Sequence, residues 1–334
     1  MKQCEVVKHI LQGKSKTPIN AGGKAFAPAN IALVKYWGKR DAELRLPITS
    51  SLSLSLGDKG ATTTISVCNA ERDQVFLNGV ELMPKHAFAH RLSKFLDLFR
   101  FTDDYYYRVA THSNIPVAAG FASSASGFAA LVLALNQLFA WQLSTPELSI
   151  LARLGSGSAC RSVQPGFMLW HRGVVDDGMD SYAELFAEPW PELCLGLLKL
   201  STRAKQASST EAMLASQRSH FYTQWPAQVT QDLPRMQRAI IDRDFMLLGQ
   251  TAENNALAMH ACMLAGQPPV VYTQATTITA MQDVWQQRAQ GLNVFFTQDA
   301  GANLKLLFLQ QDSDDVCSAF PGVELVKPFV EMVA

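Results

Sequence analysis

Four short stretches collect side chains suited to handling an anion. In "APANIALVKYWGKRD" (27–41), Asn30, Lys35, Tyr36, Trp37, Lys39, Arg40 and Asp41 crowd beside the apolar run IALV. A buried strand there delivers donors and two aromatic rings to one place, although such charges taken singly are more often solvated. In "PVAAGFASSASG" (116–127), Ala, Gly and Ser precede an apolar run. Small side chains let a ligand approach the backbone, and a helix starting there offers unpaired N–H groups, its positive dipole end and the hydroxyls of Ser123 and Ser124 to a phosphate. The same residues serve equally for close packing of helix on sheet, and the loop lacks the G-x-x-x-x-G-K-[ST] pattern. "GSGSACRS" (155–162) puts Ser156, Ser158 and Ser162 on a short turn with Arg161, whose planar fork pairs with carboxylate or phosphate through two hydrogen bonds. The bland alternative is a flexible connection with a surface arginine. In "TQDAGAN" (297–303), Asp299 sits between two apolar strands, either with its carboxylate at the mouth of a cleft or as a turn-former bonding its own backbone.

The elements around these stretches follow from periodicity. Alternation in "TTTISV" (62–67) and "QVFLNGVEL", with Asn78-Gly79 as a turn signal, predicts antiparallel strands. A helix is expected over 84–99, with Phe88, Leu92, Phe95, Leu96 and Phe99 on one face. Another begins at Ser144-Thr145-Pro146-Glu147, as cap, first-turn proline and acidic first turn, and ends at Gly155. Strands are expected at 105–111, 166–171, 193–200, 293–297 and 304–309, and helices at about 207–223, 228–246, 245–265 and 273–290. Residues 1–24 read as a loosely held extension, and a junction near 190 divides 25–190 from 191–334. This order argues for an α+β sandwich rather than a doubly wound parallel sheet. No G-x-G-x-x-G opens a helix after a strand, which disfavours dinucleotide binding.

Composition narrows the partners. The 334 residues carry 29 Lys plus Arg against 29 Asp plus Glu, so no bulk attraction to nucleic acid or anionic lipid is available. A strongly anionic substrate therefore needs a local cluster of donors. The six cysteines lack metal-ligand spacing and the N-terminus lacks the order of a signal peptide, so reduced thiols in a cytoplasm are expected. Ile115 to Leu143 holds no charge, but its uninterrupted apolar part, Phe128 to Leu135, is far short of the roughly 20 residues of a membrane span, and it reads as a buried helix. His86 and His90, four apart, lack a third metal ligand and read as a helix face, and His260 as a packed core residue.

Taken together, "APANIALVKYWGKRD", "LPITSSLSLSL" (46–56), "PVAAGFASSASG", "GSGSACRS", "MHA" (259–261) and "DAGAN" resemble the mevalonate diphosphate decarboxylase family of the GHMP kinase superfamily, in collinear order from about Ala25 to Leu309. The resemblance implies a GHMP kinase-like, two-lobed α/β sandwich with a deep cleft between an N-terminal ribosomal-protein-like lobe and a C-terminal ferredoxin-like lobe. It implies ATP-dependent conversion of mevalonate 5-diphosphate to isopentenyl diphosphate through phosphorylation of the 3-hydroxyl, with Mg²⁺, in a cytoplasmic homodimer. By similarity, Asp299 acts on the 3-hydroxyl as general base or orienter. Arg161 grips the C1 carboxylate with support from Asn30, and Tyr36, Lys39, Ser156, Ser158 and Ser209 bind the substrate with Arg161. Gly120, Ala122, Ser123, Ser124 and Ala125 bind ATP, and Ser124 also takes Mg²⁺ and serves the catalytic set. The chain departs from the family pattern at Ala302, at Gln164-Pro165 and at Thr210, where some bacterial members carry a diphosphate-binding arginine. Sibling enzymes remain as alternatives: a mevalonate 3-kinase, or a decarboxylase of the 5-phosphate. A non-catalytic binding protein on this fold is disfavoured, because neither the Asp nor the phosphate loop is lost.

Overall fold

The computed structural model describes residues 1–102, 105–115, 123–203 and 205–329, with Ser123 described by its backbone alone. In chain order the first part contains α1 (Gln3–Ile10), β1 (Gly23–Val34), β2 (Lys39–Asp41), β3 (Leu46–Pro47), β4 (Ser51–Cys68), β5 (Gln74–Leu77), β6 (Val80–Glu81), α2 (Ala87–Leu96), β7 (Tyr106–Ser113), α3 (Ser123–Leu138), α4 (Thr145–Gly155), β8 (Phe167–Trp170) and β9 (Ala183–Ala187). The second contains β10 (Leu193–Leu198), α5 (Ser209–Ser216), α6 (Trp225–Ile241), α7 (Phe245–Leu264), α8 (Ala275–Ala289), β11 (Phe295–Gln298), β12 (Leu304–Leu309), α9 (Ser313–Ala319) and β13 (Glu324–Val326). This is the two-lobed α+β arrangement expected from the sequence.

The N-terminal lobe is built on a seven-stranded sheet in the order β6-β5-β7-β4-β8-β9, with β1 antiparallel along β4. At the β5–β6 hairpin, Asn78 and Gly79 both take positive φ (49° and 83°), the geometry that lets a two-residue turn follow strand twist. α4 starts as its sequence demands, with Ser144 and Glu147 forming a capping box and Pro146 in the first turn. The C-terminal lobe holds an antiparallel sheet, β11-β12-β10-β13, whose inner strands β10 and β12 are nearly all buried.

A register irregularity in β1 between Pro28 and Asn30 decides which face carries the chemistry. Before it, Ala27 packs among α1 to α4 with Ile65, Tyr107 and Val109. After it, Ala29, Ile31 and Leu33 pack toward the C-terminal lobe with Leu52, Leu54 and Leu56. Residues of one parity have changed face, as one extra residue in a strand requires. Asn30 is thereby turned to the side of the 157–162 turn, with which it bonds.

Several expectations need correction. The first residues form α1, whose Val6, Val7 and Ile10 are buried in the N-terminal core, so this segment is packed rather than loosely held. His86 lies before α2 as its N-cap, its Nδ1 accepting from the Phe88 N–H at 3.2 Å. The helix expected over 207–223 is α5 followed by a 3-10 turn, His220–Gln224. The two overlapping helices after it are separate, because Arg243 takes φ 52° and Asp244 caps α7 through the Leu247 N–H. The β2–β3 hairpin, β9, α9 and β13 had no clear periodic signal. All six cysteines are free, and among the described residues no helix is long and apolar enough to cross a membrane.

Candidate active site

A cavity of about 540 Å³ lies where the end of β1, the 157–162 turn, the start of α5 and the β11–β12 loop converge. Six cationic side chains line it: Lys35, Lys39, Arg45, Arg91, Arg161 and Lys205. Asp299 is the one carboxylate among the described lining residues. A chain with zero net charge has thus concentrated positive charge in one place, which suits a polyanion.

Asp299 follows the buried end of β11, in a turn closed by the Gly301 N–H donating to the Asp299 carbonyl at 2.7 Å. His260 Nε2 stands 3.1 Å from the same carbonyl, and burial pushes this imidazole down to about 4, so it is neutral and donates there. The carboxylate bridges two lysines, Lys35 Nζ at 2.8 Å from Oδ1 and Lys305 Nζ at 3.1 Å from Oδ2. Burial works to raise the Asp299 pKa, yet the ammonium charges of Lys305 and Lys35 outweigh it and hold the carboxyl well below the usual carboxylate range. Lys35 is brought down to about 8 by burial, against the pull of Asp299. Its backbone N–H donates to Asn255 Oδ1 at 2.8 Å, and Asn255 in turn donates to Asp232 Oδ2 at 2.8 Å, so α6 and α7 fix where β1 ends.

Arg161, only 3% exposed, donates through Nη1 to Ser51 Oγ at 2.5 Å and through Nε and Nη2 to Asn30 Oδ1 at 3.3 Å each. Asn30 is oriented by donating to Ser162 Oγ at 2.7 Å and to the Ser158 carbonyl at 3.2 Å. Arg161 makes no ion pair among the described residues, and a buried guanidinium without a counter-charge is costly unless an anionic guest supplies one. Tyr36 packs its ring 4.6 Å from Trp170 and leaves its buried hydroxyl without a partner among the described residues. Gly157 permits this, because a Cβ there would meet Tyr36 Oη at 2.7 Å. Lys39 Nζ reaches Thr210 Oγ1 at 3.4 Å.

The structure therefore brings Asn30, Tyr36, Lys39, Ser124, Ser156, Ser158, Arg161, Ser209 and Asp299 to one cavity. Ala125 is fully buried in the first turn of α3 and does not line this cavity. Gly120 and Ala122 lie outside the described residues, as does the side chain of Ser123. No group of three or more His, Cys, Asp or Glu able to hold a metal occurs among the described residues. With Asp299 taken by two lysines and the Ser124 hydroxyl at the cavity wall, the donor set fits a Mg²⁺ held mainly by phosphate oxygens and not a protein cage.

Lys305, Arg45, Arg91 and Lys205 were not singled out from the sequence. A signal existed for Lys305: a lysine inside "LKLLFL" is 1% exposed and must be paired. None existed for Arg45 and Arg91, which come from a three-residue strand pairing and from an amphipathic helix.

Comparison with known proteins gives consistent matches. Residues 27–183 match the family model for the diphosphomevalonate decarboxylase-like N-terminal domain, and residues 197–327 that for the mevalonate 5-diphosphate decarboxylase C-terminal domain. The diphosphomevalonate decarboxylase of Aspergillus fumigatus is 35% identical over 319 residues, 89% of this chain and 79% of the fungal one. The mevalonate diphosphate decarboxylase from Enterococcus faecalis, solved in a study of mevalonate diphosphate mediated ATP binding, superposes with a TM-score of 0.84 at 37% identity, covering 92% of this chain and 96% of that one. A structure in complex with MVAPP, AMPPCP and magnesium reaches 0.85 at 37% identity with the same coverage.

Proposed function

Because the chain belongs to the mevalonate diphosphate decarboxylase family, we infer that it is an ATP-dependent enzyme converting (R)-mevalonate 5-diphosphate to isopentenyl diphosphate, with ADP, phosphate and carbon dioxide as the other products. The observation that carries this reading is the pairing of a lysine-clamped Asp299 with Arg161, which has no counter-ion among the described residues, in a cavity whose other charged lining residues are all cations. The 3-hydroxyl is tertiary and a poor leaving group, and transfer of the γ-phosphoryl group makes it a good one. As that phosphate departs, positive charge develops at C3, and the C1 carboxylate breaks down, its C–C electron pair forming the alkene.

Each demand has a residue. Asp299 is already ion-paired with two ammonium groups, so it is a weak base that stays ionised. It orients the 3-hydroxyl toward the γ-phosphate, and its charge faces the carbon where positive charge grows. Arg161, steadied by Asn30 and Ser51, pairs with the C1 carboxylate through its fork. Tyr36, Lys39, Ser156, Ser158 and Ser209 bind the 5-diphosphate. Ser123 and Ser124, with the backbone of 120–125, meet the ATP triphosphate at the start of α3. The Ser124 hydroxyl would hold Mg²⁺ together with phosphate oxygens, and the ion would supply neutralisation of phosphate charge. The domain division at about 190, the cytoplasmic setting and a homodimeric state are part of the same proposal. ATP-dependent carbon dioxide release, measured with mevalonate 5-diphosphate and the 5-phosphate side by side, tests it. Release from neither would overturn the reading, and preference for the 5-phosphate would reassign the substrate.

A further inference from the structure

The stretch "MHA", with His260 at its centre, has no task in the mechanism above. His260 lies on α7 next to Met259, which lines the cavity. Its Nε2 stands 3.1 Å from the Asp299 carbonyl, and its Nδ1 lies 3.5 Å from Thr273 Oγ1 on the segment before α8. A hydroxyl donating to Nδ1 leaves the ring proton on Nε2, the tautomer that can donate to that carbonyl.

The turn that carries Asp299 is soft in sequence. Asp299-Ala300-Gly301-Ala302-Asn303 holds no proline and no β-branched residue, so hydrogen bonds must supply its stiffness. Its far end is anchored to other elements: Thr277 Oγ1 on α8 donates to the Ala302 carbonyl at 2.9 Å, and Asn303 Oδ1 accepts from the Leu200 and Ser201 N–H groups at 2.8 and 2.9 Å. At the Asp299 end, the Gly301 N–H that donates to the Asp299 carbonyl belongs to the turn itself and moves with it. His260 brings an anchor from a separate helix.

That helix also holds the other member of the ion pair. Asn255, five residues earlier on α7, accepts the Lys35 backbone N–H at 2.8 Å. At the helical rise the two contacts lie about 7.5 Å apart along one rigid axis. α7 thus sets the spacing between the end of β1 and the start of the 299–303 turn.

We propose that His260 is a positioning residue, whose imidazole on α7 fixes the Asp299 main chain so that the carboxylate meets Lys35 and Lys305 in the orientation the 3-hydroxyl requires. The inference rests on the reading above for the reaction itself. Placement of the carboxylate is measurable without turnover.

Three variants test it. His260→Leu keeps the bulk without the donor, His260→Asn stays polar but is too short to reach the carbonyl, and His260→Gln sets an amide N–H near the place of Nε2. In the first two, kcat should fall about ten-fold, roughly 1.4 kcal/mol, with both KM values within two-fold of wild type. His260→Gln should keep kcat within about three-fold, since its hydrogen bond is retained. Lys35 gives the second readout. The charged groups facing it are Asp299, Lys305 and Arg161, of which only Asp299 is an anion. A carboxylate that leaves its place steadies the ammonium less. The Lys35 titration, followed by NMR in ¹³C-lysine-labelled protein and assigned by its loss in Lys35→Arg, should therefore move to lower pH by about half a unit or more in His260→Leu and His260→Asn, and stay in place in His260→Gln. An unmoved midpoint in the folded loss variants, kcat within two-fold of wild type in them, or a ten-fold loss in folded His260→Gln would overturn the assignment. A shifted midpoint in a chain whose wild type releases no carbon dioxide upholds the positioning role and strikes the parent reading alone.

Discussion

Lys35 and Asp299, 264 positions apart, meet in a 2.8 Å ion pair where β1 of the first lobe runs up to the β11–β12 loop of the second. The contact joins the two lobes at the point where the chemistry is placed. It also fixes the protonation of both partners: the carboxylate stays charged, and the lysine sits nearer neutrality than an exposed one.

Replacing Asp299 by Asn tests the role given to that charge. The amide keeps the shape but neither the negative charge nor the full acceptor capacity. The fold should survive, because Lys35, already brought down to about 8, can shed its proton once its counter-ion is gone. Turnover should fall at least about 10³-fold, as loss of a well-placed catalytic group does. Thermal melts and carbon dioxide release on the same sample check both halves, and near-wild-type turnover would remove Asp299 from the mechanism.

Arg161→Met probes the later part of the reaction. If the fork holds the C1 carboxylate, carbon dioxide release should drop by about 10² or more, the range seen when one preorganised charge-stabilising donor is removed. Tracking ADP and carbon dioxide separately shows which step suffers. Equal retention of both products would assign Arg161 to structure alone.

The lysine of the pair predicts an alkaline limb. With Lys35 held near 8, the free enzyme loses this ammonium as pH rises through that value, and the Asp299 carboxylate loses one of its two donors. The kcat/KM profile should therefore decline above about pH 8. In Lys35→Arg the guanidinium stays charged and the limb should move to higher pH. A profile that is the same in both proteins places the limb on another group.

Gly157→Ala asks how closely Tyr36 must approach the serine turn. The added Cβ would lie 2.7 Å from the hydroxyl and 2.9 Å from Cε1, and Trp170 behind the ring limits retreat. Overpacking of this kind costs about 1–3 kcal/mol. A lower melting temperature should come with a KM for the diphosphate substrate raised about ten-fold. An unchanged KM would mean that Tyr36 does not touch the substrate.

Much of this site was legible because its residues come from segments with strong local character. The buried run IALV forces a strand that ends at Val34, just before Lys35, and the capping box at Ser144 fixes the helix that ends at Gly155, so the turn carrying Arg161 had to follow. What was not legible depends on pairing across the chain. The irregularity at Pro28 and Asn30 turns a strand face without altering its composition, and α1 looks polar until Val6, Val7 and Ile10 meet a surface. Arg45 gains its place from a hairpin whose strands span only three and two residues, too short for any period to show.

Lys305 supplies the last test, because it separates the clamp on Asp299 from the substrate contacts. It sits in β12 between Leu304 and Leu306, 1% exposed, with its ammonium 3.1 Å from Asp299 Oδ2. A carboxyl whose folded pKa is depressed contributes stability that is complete above its unfolded value, near 4, and is lost as pH falls toward the folded one. Lys305→Met removes the stronger of the two ammonium charges that depress it, so Asp299 should contribute less stability at neutral pH. In strong acid, where the carboxyl is protonated in both proteins, that difference should vanish. Urea melts at pH 7 measure this loss of stability; the gap between wild type and Lys305→Met narrows only in acid strong enough to protonate the folded carboxyl, well below the usual carboxylate range. Turnover at pH 7 should fall about ten-fold as the carboxylate, tied by Lys35 alone, loses its fixed orientation. Unchanged turnover in a folded Lys305→Met variant would show that Lys305 supports the strand rather than the carboxylate.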